Sequence, residues 1–242
     1  MKNFFLILTV VFTLVMNAQE PTQSKIKVYT PTGNSGELAS SSSNSYKWAV
    51  KTDLFGYASG EFPIIGEYRI AKKFSVEASA GFTYSFIENN FLLEEEEDSN
   101  VSMVDTKAGI GSAFRGAIKY YPSSDYDAIE GWFFGIQLFN KVNNREYVDT
   151  NDSYEAGLLE GQKDKKVKTG VSLLIGKQIF ADSNVTFESF IGIGFANNKR
   201  TYSGILNEYD SDTGEYTYSA KRFETNETKP NFQVGFRIGF GN

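Results

Sequence analysis

The sequence predicts an all-β fold: an eight-stranded antiparallel up-and-down transmembrane β-barrel, with ten strands as the alternative count. Three observations lead there. Apolar side chains recur at every second position in eight separate segments, which in a strand places them on one face. A secretory-type leader precedes those segments. The links between them alternate short and long, the asymmetry that outer-membrane barrels show. The final segment is the clearest. Phe232, Val234, Phe236, Ile238 and Phe240 alternate with Gln233, Gly235, Arg237 and Gly239.

The leader begins with the basic stretch Met1-Lys2-Asn3. An apolar run from Phe4 to Val15 follows, then Met16-Asn17-Ala18. Residues 1–18 read as a signal peptide cleaved after Ala18. Residues 19–45 carry Pro21, Pro31, Gly33, Gly36 and the serine-rich stretch Ser40 to Ser45, and read as a flexible periplasmic tail. Residues 46–242 form the barrel. No segment after the leader offers ~18 consecutive apolar residues, so helical membrane spans are excluded.

Composition excludes several functions. Cysteine is absent, which removes a lipoprotein anchor, disulfides and thiolate metal sites. Histidine is absent too, and with it the commonest general base and metal ligand. A net charge of −6 argues against a nucleic-acid partner. The 22 glycines suit a crowded lumen, and the 21 phenylalanines and 14 tyrosines suit a lipid-facing wall with interfacial girdles.

Period-two counting gives the strands in order. The first, 46–57, sets Trp48, Val50, Thr52 and Leu54 against Lys47, Ala49, Lys51, Asp53 and Phe55. The second, 63–71, sets Ile64, Tyr68 and Ile70 against Ile65, Glu67 and Arg69. In the third, 74–87, Phe74, Val76, Ala78, Ala80, Phe82, Tyr84 and Phe86 alternate with Ser75, Glu77, Ser79, Gly81, Thr83 and Ser85. The fourth, 107–121, sets Ile110, Phe114, Ile118 and Tyr120 against Gly109, Gly111, Arg115 and Lys119. The fifth, 131–141, sets Trp132, Phe134, Ile136 and Leu138 against Gly135 and Gln137, and leaves Phe133 and Phe139 unassigned. The sixth, 167–180, sets Val171, Leu173, Ile175 and Ile179 against Ser172, Gly176 and Gln178. The seventh, 185–196, sets Val185, Phe187, Ile191, Ile193 and Phe195 against Thr186, Glu188, Gly192 and Gly194. The C-terminal segment is the eighth.

With a periplasmic tail, the inner links are 72–73, 122–130 and 181–184. The outer links are 58–62, 88–106, 142–166 and 197–229. Short inner links and three long outer links of four fit an outer-membrane barrel with both termini in the periplasm. A soluble lipocalin-type barrel would show the same alternation with its faces reversed. The Gly, Ala and Ser on the polar face suit a lumen better than a solvated exterior. Aromatic residues near the strand ends suit two membrane interfaces.

The candidate site is a layer of charge on the lumen face: Lys51, Asp53, Glu67, Arg69, Glu77, Arg115, Lys119, Glu188 and Arg237. Glu188 lies near Arg237, Arg69 near Glu77, and Glu77 near Lys119 and Arg115. An eight-stranded barrel is only wide enough inside for side chains, so such a layer forms a salt-bridged plug or a narrow gate. Outside the wall, Glu94-Glu95-Glu96-Glu97-Asp98 reads as a solvated loop. Asp210-Ser211-Asp212-Thr213-Gly214 lacks the further ligand positions of a calcium loop and reads as a turn joining Asn207-Glu208-Tyr209 to Glu215-Tyr216-Thr217-Tyr218, a hairpin that extends strands seven and eight above the membrane or adds two spanning strands to make ten. Asn-x-Ser/Thr triplets at Asn100, Asn151, Asn184 and Asn226 carry no default meaning in a bacterial context.

Two stretches carry a resemblance. Lys51-Thr52-Asp53-Leu54-Phe55-Gly56 and Gly66-Glu67-Tyr68-Arg69-Ile70-Ala71-Lys72-Lys73-Phe74-Ser75-Val76-Glu77, with the terminal strand, resemble a small outer-membrane barrel family of unknown function from Bacteroidota. The leader ending Asn17-Ala18-Gln19 is typical of that phylum. The wider architecture is similar to the OmpA/OmpX class of eight-stranded barrels. The resemblance implies no catalytic or binding residue. Barrels of this kind often end on an aromatic residue read by the assembly machinery, whereas Gly241-Asn242 follow Phe240 here.

The expectation is therefore a monomeric outer-membrane barrel, not an enzyme, with a structural or surface-interaction role through its external loops and without a cofactor. Its expected partners are outer-membrane lipid, lipopolysaccharide and the barrel assembly machinery. The rivals are a narrow channel for ions or small solutes, adhesin-like binding through the loops around Tyr202–Tyr218, and a lipid-modifying enzyme. Without histidine the last has little to work with.

Overall fold

A computed structural model describes residues 46–84, 106–123, 127–148, 157–181, 184–210 and 214–242. The leader, the tail, the acidic run 94–98 and residues 85–87, 100, 151 and 211–213 lie outside them. Eight antiparallel strands close into one barrel in sequence order: β1 (Trp48–Asp53), β2 (Glu61–Ala71), β3 (Phe74–Tyr84), β4 (Thr106–Tyr120), β5 (Gly131–Tyr147), β6 (Lys163–Phe180), β7 (Val185–Asp210) and β8 (Glu215–Gly241). A single helical turn, α1 (Leu54–Ala58), follows β1. The count is eight rather than ten.

The two faces sort as the alternation requires. Ile64, Ile110 and Phe232 point outward and are 72%, 73% and 78% exposed. On the opposite face, Ile65, Lys119, Gln137, Gln178 and Glu188 are fully buried inside. Phe133 and Phe139, unassigned from sequence, turn inward. Glycines across the β5–β6 pair make room for them. A Cβ on Gly176 would lie 2.6 Å from the Phe133 ring, and one on Gly170 would lie 2.6 Å from the Phe139 ring.

The first strand is shorter than its pattern. It ends at Asp53, whose carboxylate accepts from the backbone N–H groups of Phe55 (3.1 Å) and Gly56 (3.2 Å) and caps α1. The partner strand explains the stop. Pro63 has no N–H to offer β1, and its carbonyl accepts from the Thr52 hydroxyl at 2.8 Å. Beyond this point α1 fills the wall between β8 and β2. Phe55 meets Phe236 with ring centroids 6.5 Å apart, and Tyr57 stacks on Phe62 at 5.3 Å. The β1–β8 closure therefore runs only from Ala49↔Gly241 to Asp53↔Arg237.

The strands on the other side are longer than expected. β7 has 26 residues and β8 has 27, paired continuously from Val185↔Phe240 to Asp210↔Glu215. At ~3.3 Å per residue this hairpin is on the order of 85 Å long. Much of the expected 142–166 and 197–229 links is thus ladder. Those residues are mostly polar, so no period-two signal marks them, and only the hairpin of Asn207–Tyr218, expected to extend the seventh and eighth strands, was signalled by its turn. Polar contacts brace the base of the hairpin. Leu159 and Ile205 are buried there, the Tyr147 hydroxyl accepts from Ser203 N–H at 2.8 Å, and Arg200 donates to Asp164 at 2.8 Å. Nearby Glu146 lies against Lys163 and Lys107, and the hydrogen bond from Lys163 holds its carboxyl below the usual range.

Inside the barrel, Gly235 lets the Phe190 ring lie flat against β8. A Cβ there would fall 2.0 Å from the ring. Gly235→Val should destabilise the barrel by roughly 1–3 kcal/mol through overpacking. Thermal unfolding followed by circular dichroism measures this, and an unchanged midpoint would show that the ring has room to move.

Candidate functional site

Six of the nine charges expected in the lumen meet in one cluster. Lys51 comes from β1, Glu67 from β2, Glu77 from β3, Lys119 from β4, Glu188 from β7 and Arg237 from β8. Three cations face three carboxylates. Lys51 Nζ lies 2.5 Å from Glu67 and 3.1 Å from Glu77, and also donates to Glu188. Lys119 Nζ lies 2.6 Å from Glu77, 2.9 Å from Glu188 and 3.5 Å from Glu67. Arg237 Nη1 donates to Glu77 at 2.9 Å and to Glu188 at 2.8 Å. These side chains are essentially inaccessible to solvent.

Neutral groups complete the cluster. The Tyr121 hydroxyl donates to Glu67 at 2.8 Å and the Ser75 hydroxyl at 2.5 Å. Gln178 Oε1 accepts from Lys51 at 3.1 Å. The Lys119 ammonium lies 4.4 Å from the centre of the Phe133 ring, and the Arg237 guanidinium 4.2 Å from that of Phe190, a cation–π contact on each side. Register explains the convergence. Glu188 is directly opposite Arg237, and Glu67 is directly opposite Glu77. Two carboxylates at one level on neighbouring strands repel unless cations stand between them, and Lys51 and Lys119 do so.

The carboxylates of Glu67, Glu77 and Glu188 approach within 4.8 Å of one another, a spacing that would suit a metal ion. Two lysine ammoniums and a guanidinium already contact them, so a metal would have to displace a cation.

The other three charges sit elsewhere. Asp53 and Arg115 form a second group, in which Arg115 Nη2 lies 2.6 Å from Glu61 and Nη1 lies 3.9 Å from Asp53. Lys141 reaches Glu61 at 3.4 Å, and Arg237 Nε lies 3.8 Å from Asp53 and ties the two groups together. Arg69 joins neither group. It is opposite Ser75 rather than Glu77, and pairs with Asp127 at 2.7 Å, near the end of the barrel where β1 begins and β8 ends. Strand tilt is the reason: residues equally far from their strand ends do not share one height in a barrel. Arg115, expected beside Glu77, is displaced in the same way, because Ala117 holds that position.

Sequence reasoning missed Glu61, Lys141, Tyr121 and Asp127. Glu61 fell in a stretch read as a link, and Lys141 closed a strand whose inward residues were only partly assigned. Tyr121 shares the parity of Lys119 and was the one with a usable signal. Compared with family models, curated proteins and solved structures, the chain matches none of them.

Removing one carboxylate from a buried, balanced cluster leaves a cation without compensation. Glu188→Gln should cost about 3–5 kcal/mol of stability, read from equilibrium unfolding. A loss below about 1 kcal/mol would show that the cluster is solvated and weak.

Proposed function

We propose that this chain is an outer-membrane β-barrel whose lumen is closed by the Lys51–Glu67–Glu77–Lys119–Glu188–Arg237 cluster, and that it acts at the cell surface through its long β7–β8 hairpin. The observation that carries this reading is the inversion of a soluble protein. Every strand presents a row of large apolar side chains outward, while ion pairs fill the inside. Outward apolar residues run from Val171 to Ile179 on β6 and from Phe232 to Phe240 on β8. Nine residues is the length a tilted strand needs to cross a bilayer, for which ~9–11 suffice. The surrounding partner is then lipid, with lipopolysaccharide in the outer leaflet, and insertion falls to the barrel assembly machinery. A leader at residues 1–18 and short links at the end where β1 begins and β8 ends support a periplasmic position for that end.

The hairpin beyond this band is mostly polar and braced at its base, which suits contact with another molecule rather than passage of a solute. Adhesion through Tyr202–Tyr218 is one form of that role. A narrow channel is the rival reading. Two measurements test the proposal. Purified protein in planar bilayers should show no steady conductance, and neither should Arg237→Ala, in which the remaining groups still fill the lumen. Protease added to intact cells should cut within 205–227, the outer part of the β7–β8 hairpin, and leave the membrane-spanning part of every strand protected. Sustained ion conductance by the wild type, or cleavage throughout the chain, would contradict the reading.

A further inference from the structure

The mouth of the barrel above the buried cluster holds an arrangement that the closed lumen does not use. Lys141 on β5 is directly opposite Lys168 on β6, and Lys168 is directly opposite Asn198 on β7. Directly opposed residues on neighbouring strands have Cβ atoms about 4.5–5.5 Å apart, and like charges there repel. Lys141 reaches inward to Glu61. Arg115 lies on the same carboxylate, so two cations share Glu61. Among the described residues Lys168 has no ion-pair partner; it is partly buried, and Lys141, Lys166 and Arg115 repel it. Beside it the Asn198 carboxamide oxygen is shielded from solvent and accepts no hydrogen bond from the protein.

The nearby acids are committed elsewhere. Glu61 is shared by Arg115 and Lys141, Asp53 caps α1, Asp164 pairs with Arg200, and Glu227, directly opposite Asn198 on β8, pairs with Lys229. The row of Lys141, Lys168 and Asn198 thus has excess positive charge and an unsatisfied acceptor at one level. The side chains are partly open: Arg115 is 18% and Lys141 21% accessible. They face the inside of the barrel, out of reach of a lipid headgroup in the surrounding leaflet.

We propose that Lys141, Lys168 and Asn198, flanked by Arg115, form a binding site for a soluble oxyanion of the phosphate class at the mouth of the barrel. Two ammoniums and a guanidinium supply the charge-assisted donors that such an anion requires. A monoprotonated phosphate also brings an O–H that the Asn198 oxygen can accept. The opposed lysines then bridge one anion instead of repelling each other. This site depends on the closed barrel fold and not on its surface role, so it can be tested in the purified full chain.

The experiment is titration of inorganic phosphate into the folded protein in detergent, with sodium chloride of equal ionic strength as control. Saturable binding at one site is expected, with a phosphate-dependent rise in Tm that chloride does not reproduce. Lys168→Gln and Lys141→Gln should each weaken binding at least tenfold, while Lys168→Arg retains it. Lys168→Gln should also raise Tm in phosphate-free buffer, because it removes the repulsion, and that readout confirms that the variant is folded. An equal response to chloride, unchanged affinity in the glutamine variants, or a response to phosphatidylglycerol but not to inorganic phosphate would each overturn the proposal.

Discussion

Electrical neutrality inside a narrow wall is the constraint on which the structure turns. The lumen of an eight-stranded barrel admits side chains and little else, so an ionised group sealed at its centre must find its counter-charge there. Here Lys51, Lys119 and Arg237 meet Glu67, Glu77 and Glu188 on six different strands. The neighbours β2 and β3 contribute only carboxylates to the cluster, and cations from β1, β4 and β8 balance them. The ion pairs join strands far apart in sequence. Arg237 to Glu77, for example, spans 160 residues. The cluster is satisfied only when the barrel is closed, which ties its electrostatics to its topology.

The rest of the interior is arranged around that cluster. Phe133 and Phe190 cover two of its cations, and each ring lies against a glycine on a neighbouring strand. Asp53 links the cluster to the wall by capping α1 and standing near Arg237. The closing seam is short because Pro63 cannot continue the β1–β2 ladder, and α1 takes over with aromatic contacts instead of backbone hydrogen bonds. Closure of the barrel therefore relies on five residue pairs at the seam and on the ionic contacts behind them.

Strand number, direction and the sorting of residues to the two faces were legible in the sequence, because burial on one face imposes a period of two. Contacts that depend on stagger were not. Arg69 and Glu77 looked like neighbours, but register puts Glu67 opposite Glu77 and sends Arg69 to Asp127. Phe133 and Phe139 were ambiguous, because the glycines that admit them lie on another strand. Glu61 was read as part of a link, since nothing in the sequence shows that β1 stops early and β2 starts before Pro63. The Asn207–Tyr218 hairpin was legible from its turn as an extension of β7 and β8, but the unbroken ladder between it and the wall was not, because a mostly polar strand leaves no hydrophobic period. The lysine row at the mouth stayed hidden for the same reason as Arg69: it depends on the stagger between β5 and β6.

The most direct test of the central claim is a double-mutant cycle on Lys119 and Glu77, whose charged atoms lie 2.6 Å apart. Lys119→Met, Glu77→Gln and the double variant are each unfolded reversibly, and the departure from additivity is read as the coupling. A charge-balanced buried cluster predicts a favourable coupling of roughly 1–3 kcal/mol, with the double variant less destabilised than the sum of the singles. Additive effects would contradict the account, because they would mean that these charges do not depend on each other inside the barrel.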